Sequence, residues 1–167
     1  MFTVPAAYLK FVRSAFRGTG IRVKCLCQGA GRAVVYVYRE AEVQQCLEDP
    51  QVAVFLQQYG YESTQAEACL NHLGARVSLS ARGMEHYPHE MGIFLGYPLE
   101  DVKGFIAHPR RGVQLTGYWK VYENAEEKAK LFARFRKCSQ SICGKMRSGN
   151  SLTAIFDGQE PEKVEIN

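Results

Sequence analysis

The sequence predicts an α+β fold, with a small mixed or antiparallel sheet of about four strands covered by helices. Two patterns lead to this prediction: short runs rich in β-branched and aromatic residues, and longer segments whose apolar residues recur at helical spacing. With 167 residues, 46% apolar and 23% charged, the chain has the size and composition of one globular domain. We therefore expect a single domain over residues 1–150, with a divergent N-terminal helix in residues 1–20, and a polar tail over residues 151–167.

Two of the strands are predicted to form a hairpin. Residues 21–27 partly alternate between apolar and polar side chains, and residues 32–39 are rich in valine and tyrosine. The glycines between these segments supply the turn. Because side chains two apart on a strand point to the same side, Cys25 and Cys27 are expected to share a face.

The other two strands are predicted near the middle of the chain. The short apolar run over residues 91–95 is typical of a buried strand, and residues 117–122 are rich in aromatic residues. Alternation along the second of these strands places Tyr118 and Tyr122 on one face and Trp119 on the other.

Helices are predicted wherever apolar residues recur every three or four positions. One is expected to begin at Ser63 or Thr64, with Glu67 completing a capping box. Its end is ambiguous because residues 75–82 also fit a strand, although a helix is preferred. The predicted helical segments are residues 6–17, 40–47, 51–58, the segment that follows Ser63 or Thr64, 98–106 and 125–138.

The last of these helices is strongly amphipathic. Asn124 is expected to cap its first turn together with Glu127. Phe132 and Phe135 are predicted to face the core, while Lys128 belongs to the solvated face.

Two motif interpretations fail on their context. Gly29 and Gly31 lead into a strand, whereas a dinucleotide fingerprint leads into a helix. His89 and Glu90 begin like the helical zinc motif of metalloproteases, but Ile93 occupies the position of the second histidine. Neither reaction class is therefore predicted.

Phosphate and metal sites receive little support from the central segment. Glu100 and Asp101 fall in the first turn of a predicted helix, where they occupy the positive field that a phosphate would use. A metal site formed by His86, His89, Glu90 and a distant cysteine stays an alternative, because these residue types are common metal ligands. No metal site is predicted, and the sequence indicates no particular cofactor.

Hydropathy, cysteine content and net charge indicate the cellular compartment of the protein and the kinds of partner it can have. No apolar run approaches the ~20 residues of a membrane helix, and no secretory signal is evident, so a cytoplasmic location without a transmembrane segment is expected. The six cysteines are then expected to be free thiols. A net charge of +4 is mild, which makes nucleic acid an unlikely partner.

The favoured hypothesis is a small ligand-binding or regulatory protein, whose partner is an unknown small molecule or protein. Its cleft would lie around the segments that run from residue 89 to 98 and from residue 117 to 122, where glycines allow a ligand to approach the backbone. The candidate ligand-binding residues are His89, Glu90, Tyr97, Tyr118, Trp119 and Lys120.

Two alternatives remain open. A small enzyme could use His89 as acid or base, oriented by Glu90 or Asp101, with Lys120 or Cys138 as electrophile or nucleophile. The lesser alternative is nucleic-acid binding through the basic helix and the basic turn at residues 128–137 and 108–112.

Four segments carry a resemblance to a known family. They are residues 32–39, Pro88-His-Glu-Met-Gly-Ile-Phe-Leu-Gly-Tyr-Pro-Leu-Glu-Asp-Val-Lys-Gly-Phe-Ile106, Gly117-Tyr-Trp-Lys-Val-Tyr122 and the helix that ends near Cys138. They resemble the domain of unknown function 3793 family, which consists of small proteins from anaerobic Firmicutes. The resemblance covers roughly residues 20 to 145, and residues 1–20 lack the Cys-Ala-Pro segment with which family members open. It implies no activity, cofactor or catalytic residue.

Overall fold

The first sheet is built around a tight turn at Ala30 and Gly31. In the computed structural model, which describes residues 1–156, these residues have φ angles of 48° and 73°, as a two-residue hairpin turn of type I′ requires. The turn joins β2 (Arg22–Gly29) to β3 (Arg32–Tyr38), and the two strands pair antiparallel. The predicted hairpin is confirmed.

A third strand, β1 (Phe2–Pro5), pairs with β3 and gives the strand order β1-β3-β2. β2 carries a bulge between Cys25 and Cys27, which pair with the neighbouring residues Val35 and Val34. Because neighbouring residues of a strand face opposite sides of the sheet, the prediction that the two cysteines share a face is wrong.

Helices pack against this sheet through small and β-branched residues. A turn of 3-10 helix at Ala6–Tyr8 leads into α1 (Leu9–Ala15), whose Val12 packs against Ala33 and Val35 of β3. A later helix, α4 (Ala66–Ala81), packs against β2. A Cβ at Gly74 would lie 2.6 Å from the Leu26 carbonyl oxygen, so glycine is required for this close approach.

Two short helices, α2 (Glu40–Leu47) and α3 (Pro50–Gln57), lie between the hairpin and α4. Glu48 and Asp49 separate them, and the Asp49 carboxylate accepts hydrogen bonds from the backbone N–H groups of Gln51 and Val52, which caps α3. Both helices agree with the sequence prediction.

The start of α4 differs from the prediction. The Ser63 hydroxyl accepts a hydrogen bond from the Gln65 N–H, two residues away, while the Gln44 side-chain oxygen accepts from the Ala66 N–H. The predicted capping box with Glu67 is therefore wrong, because a residue of α2 caps this helix. The preference for helix over residues 75–82 is confirmed up to Ala81.

The predicted strand over residues 91–95 is also wrong, because these residues form α5 (Met91–Phe94). The Ile93 N–H donates to the Glu90 carbonyl, and the Leu95 N–H donates to the Met91 carbonyl. All four residues of α5 are buried, so no exposed polar residue marks the helical period in the sequence.

Of the described residues, 97–156 form a second compact unit, after a first unit of Met1–Gly96. Its short strands, β4 (Leu115–Thr116) and β5 (Lys120–Val121), make a two-stranded antiparallel sheet. The strand predicted at residues 117–122 is thus shorter and does not join the sheet of the hairpin. The helices of this unit are α6 (Leu99–Ala107), α7 (Ala125–Arg147) and α8 (Leu152–Phe156).

The core of the second unit contains Trp119, Val121 and Phe132. Two glycines make room for its rings: a Cβ at Gly104 would collide with the ring of Tyr122, and a Cβ at Gly117 with the ring of Phe132. The structure therefore needs glycine at both positions.

Two predictions for α7 are wrong. Asn124 has a left-handed backbone, with φ 56°, and its side chain makes no capping hydrogen bond. Lys128 is buried, whereas the sequence places it in solvent. Its apolar stem allows this burial, and its ammonium lies 3.7 Å from Glu100 Oε1.

The mixed composition of helices and two small antiparallel sheets confirms the α+β class. The single domain over residues 1–150 stays a prediction. Of the predicted tail, residues 151–156 contain α8, and residues 157–167 lie outside the described part of the chain.

Candidate functional site

The residues predicted for the site belong to different compact units. His89 and Glu90 lie in the first unit, just before α5. The other candidates lie in the second unit: Tyr97, Asp101, Tyr118, Trp119, Lys120 and Cys138.

Glu90 is the most deeply buried charged residue of the first unit, with 1% of its surface exposed. Its Oε1 accepts hydrogen bonds from the Tyr61 hydroxyl at 3.2 Å and the Arg76 Nε at 2.7 Å. No described residue donates a hydrogen bond to Oε2, although this atom is buried. Burial, and next the charge of Glu90, raise the pKa of Tyr61, so this phenol stays protonated and acts as a donor.

His89 is placed differently from its neighbour Glu90. Its side chain is exposed, and its ring centroid lies 5.3 Å from that of Tyr87. The buried Pro88 and Glu90 flank His89 on either side. The predicted role of His89 as an acid or base stays a prediction.

In the second unit, Asp101 of α6 is hydrogen-bonded to the residues on either side of β5. Its Oδ2 accepts a hydrogen bond from the Trp119 indole N–H at 2.7 Å, and its Oδ1 accepts from the Tyr122 backbone N–H at 2.6 Å. The residue is 2% exposed. A carboxylate with both oxygens engaged in this way positions β5 against α6.

The aromatic candidates of the second unit pack together. Tyr97 stacks on Trp119 with the ring centroids 4.8 Å apart, and the ring of Phe132 meets Trp119 edge-on. Tyr118 contacts Phe132 and Phe135 but is half exposed. The structure thus brings three of the predicted ligand-binding aromatics into one cluster.

The remaining two candidates lie at the surface of that unit. The Lys120 ammonium donates to the Pro109 carbonyl at 2.6 Å and lies 5.5 Å from the centroid of the Phe105 ring. The Cys138 side chain is exposed on α7. Their predicted roles as electrophile or nucleophile stay predictions.

A cavity of about 280 Å³ opens in the first unit between the end of β3, α2 and the chain that follows α5. We call it the α2–α5 cavity. Its apolar walls include Tyr36, Val43 and Phe94, and its polar groups include Arg39 and Glu42, whose side chains lie 3.6 Å apart. The other lining residues are Met1, Val37, Tyr38, Cys46, Leu47, Ile93, Leu95 and Gly96.

Two polar side chains in the wall of the α2–α5 cavity stay neutral. The Tyr36 hydroxyl donates to the Phe94 carbonyl, and burial raises the pKa of this phenol. Burial also raises the pKa of the Cys46 thiol. A protonated thiol is a poor nucleophile, so the surroundings of Cys46 do not activate it.

Sequence reasoning missed most of this cavity. It singled out the segment that contains Ile93 and Gly96, but it assigned Arg39, Glu42 and Cys46 no role. The signal that could have revealed these three residues is their spacing, because Arg39, Glu42 and Cys46 follow one another at helical intervals of three and four.

No three His, Cys, Asp or Glu side chains in residues 1–156 come together as a metal ion would require. Across the same residues, each helix is too short or too polar to cross a membrane. All six cysteines are free in this structure.

The comparisons with known proteins identify a family. A family model described as "Protein of unknown function (DUF3793)" matches residues 1–156, which confirms the resemblance seen in the sequence and extends it over residues 1–20. Neither the curated proteins nor the solved structures contain a significant match. Because the family model matches nearly the whole length of the chain, the chain belongs to the DUF3793 family of proteins of unknown function.

Proposed function

We propose that the protein is a small-molecule-binding protein whose ligand occupies the α2–α5 cavity. The observation that carries this proposal is the cavity itself, in which apolar walls surround a few polar groups. Ligand sites of proteins have this composition, with apolar area that supplies affinity and a few polar groups that fix orientation.

The size and lining of the cavity indicate the chemistry of the ligand. A volume of about 280 Å³ lies just below the range of sites for drug-sized molecules, so the ligand is a smaller molecule. Tyr36 already donates to a backbone carbonyl, and Cys46 is a neutral thiol. The ligand therefore has an apolar body and a polar group that meets Arg39 or Glu42.

The backbone after α5 supports the same proposal. Gly96 has a φ of 76°, and no atom lies within 4 Å of the position that a Cβ would take. A ligand can approach the main chain at such a position. The glycine-containing segment that the sequence singled out thus borders the cavity, although its residues His89 and Glu90 do not line it.

Binding measurements on the wild-type protein and on a variant with a larger side chain in the cavity wall test the proposal. Thermal-shift and NMR titrations would use indole, benzoate and hexanoate, which are small molecules with an apolar body and at most one polar group. The variant Val43→Phe adds bulk at a buried wall position and is expected to weaken binding by about tenfold or more. Val54→Phe is the matched control, because Val54 is exposed on α3 and lies outside the cavity.

Two results would contradict the proposal. One is the absence of any shift for the wild-type protein with all three probes. The other is unchanged binding by Val43→Phe, provided that its circular dichroism spectrum shows a folded protein. Cys46→Ala gives a further check, since enlarging the cavity is expected to favour a longer homologue such as octanoate over hexanoate.

We also retain the cytoplasm as the proposed location. Six free cysteines support a reducing compartment, where thiols remain unpaired. The enzymatic, nucleic-acid and protein-partner hypotheses stay predictions.

A further inference from the structure

The positive charge of the protein is concentrated at one end of the sequence. Residues 1–39 contain seven cationic side chains and no carboxylate, although the whole chain has a net charge of only +4. The seven are Lys10, Arg13, Arg17, Arg22, Lys24, Arg32 and Arg39. Residues 1–39 contain β1, α1 and the hairpin, so this segment contributes only positive side-chain charge to the first unit.

Three of these cations line one concave region of about 530 Å³, which we call the basic concavity. Arg13 comes from α1, and Arg22 and Lys24 come from β2. The Tyr38 phenol and the Asn71 amide add uncharged polar groups to the lining, which also includes Val23, Cys25 and Glu67.

The existing partners leave positive charge in the basic concavity. The Lys24 ammonium lies 2.6 Å from Glu67, and Arg22 lies 2.5 Å from Glu40. Arg13 forms no ion pair or hydrogen bond with any residue of the described chain. Both carboxylates are at least half exposed, and exposed ion pairs contribute little stability, so an anionic ligand can compete with them.

A purely structural role explains only part of this arrangement. β2 is an edge strand, and cations on an edge strand discourage pairing with other chains. That role accounts for Arg22 and Lys24. It does not account for Arg13, which reaches the same concavity from a helix.

We propose that the basic concavity binds a phosphate group, carried by a small molecule or by a lipid headgroup. Guanidinium groups match the geometry of phosphate oxygens, and Lys24 adds a point charge beside them. The hydroxyl of Tyr38 and the amide of Asn71 can donate hydrogen bonds to the remaining oxygens. This site is separate from the α2–α5 cavity, although Tyr38 borders both.

The test measures phosphate binding by variants in which one cationic side chain is replaced. Pyrophosphate is the soluble probe. Its binding is measured by calorimetry or by the NMR shifts of the Asn71 and Tyr38 signals. Arg13→Gln is expected to weaken binding by about tenfold and to leave the melting temperature unchanged, because Arg13 has no partner to lose. Arg32→Gln is the matched control: it removes the same charge from the same unit at an exposed position outside the concavity.

Vesicles distinguish the two sources of phosphate. Co-sedimentation with phosphatidylcholine vesicles that contain phosphatidic acid, but no response to pyrophosphate, would assign the site to a lipid headgroup. The reverse result would assign it to a soluble ligand. In either case binding is expected to fall with added salt.

Three results would overturn the proposal. These are no response to either probe, equal weakening by Arg13→Gln and Arg32→Gln, and binding of a short DNA duplex without binding of either phosphate probe. Val43→Phe is expected to leave phosphate binding unchanged. This variant therefore separates a failure here from a failure of the proposed ligand in the α2–α5 cavity.

Discussion

Each compact unit buries one carboxylate almost completely, but the two carboxylates are held in different ways. In the second unit, Asp101 accepts one hydrogen bond on each oxygen, from the Trp119 indole and the Tyr122 backbone. In the first unit, Glu90 receives both of its hydrogen bonds on Oε1, and none from the described residues on Oε2.

The difference shows what each carboxylate does in its unit. Asp101 has neutral donors on both oxygens, so its contribution comes from the geometry of hydrogen bonds that fix β5 on α6. Glu90 has a cationic donor, Arg76, and a spare buried oxygen, so its contribution depends on charge. Replacing each carboxylate by the amide of the same shape removes the charge and therefore distinguishes the role of Asp101 from that of Glu90.

The largest effect is expected for Asp101→Asn. Whichever way the new amide is oriented, its NH₂ group faces an N–H donor, so one hydrogen bond is replaced by a repulsive contact. We expect a loss of about 3 kcal/mol in the free energy of unfolding. Urea denaturation followed by Trp119 fluorescence measures it, because this residue is the chain's one tryptophan and lies in the second unit.

Asp49→Asn is the matched control for this substitution. Asparagine caps a helix as well as aspartate does, so the change at the start of α3 is expected to cost less than about 0.5 kcal/mol. An Asp101→Asn variant as stable as this control would show that the two hydrogen bonds of Asp101 do not hold the second unit together.

A smaller effect is expected for Glu90→Gln. The new oxygen can keep the position of Oε1, and the NH₂ group takes the position of Oε2, where no bond is lost. The cost of about 1.5 kcal/mol then comes from the lost charge opposite Arg76 and from the buried amide. Denaturation followed by far-ultraviolet circular dichroism measures it.

Glu85→Gln provides the comparison for Glu90→Gln. Glu85 pairs with the same arginine at 3.5 Å but is exposed, so its loss is expected to cost less than about 0.5 kcal/mol. If Glu90→Gln cost as much as Asp101→Asn, the distinction drawn between the two carboxylates would be wrong.

The smallest effect is expected for the third buried charge, Lys128. Its ammonium pairs at 3.7 Å with Glu100, and its stem already packs in the second unit. Lys128→Met keeps the stem and removes the desolvated charge, so the free energy of unfolding is expected to change by less than about 0.5 kcal/mol. The fluorescence measurement described for Asp101 applies again, with exposed Lys130→Met as control. A loss of several times this size would show that the Lys128 charge stabilises the unit.

Local patterns allowed much of the fold to be predicted from the sequence. The hairpin, α2, α3 and most of α4 follow from turn residues, β-branched runs and helical spacing, which act within a few residues. The run at residues 91–95 could not be assigned in this way, because a fully buried segment shows no polar face and strand and helix then look alike. β1 was missed because a strand of four mostly exposed residues is too short to establish a pattern.

The candidate site depends on contacts between distant residues, and these are harder to predict. Glu90 meets Tyr61 and Arg76 across 29 and 14 positions, and Asp101 meets Trp119 across 18. Glutamate and aspartate are rarely buried without such partners, so their burial could not be inferred from their own neighbourhood in the sequence. The cations of residues 1–39 are visible in the sequence, but only the fold brings Arg13 beside Arg22 and Lys24.

Gly104 and Gly117, which face aromatic rings in the second unit, have an evolutionary consequence. The rings of Tyr122 and Phe132 occupy the space that side chains at positions 104 and 117 would need. A larger residue at either glycine can be accepted only if the facing ring is lost or moves. Gly104 with Tyr122, and Gly117 with Phe132, are thus two pairs of positions whose members can diverge only together as the family evolves.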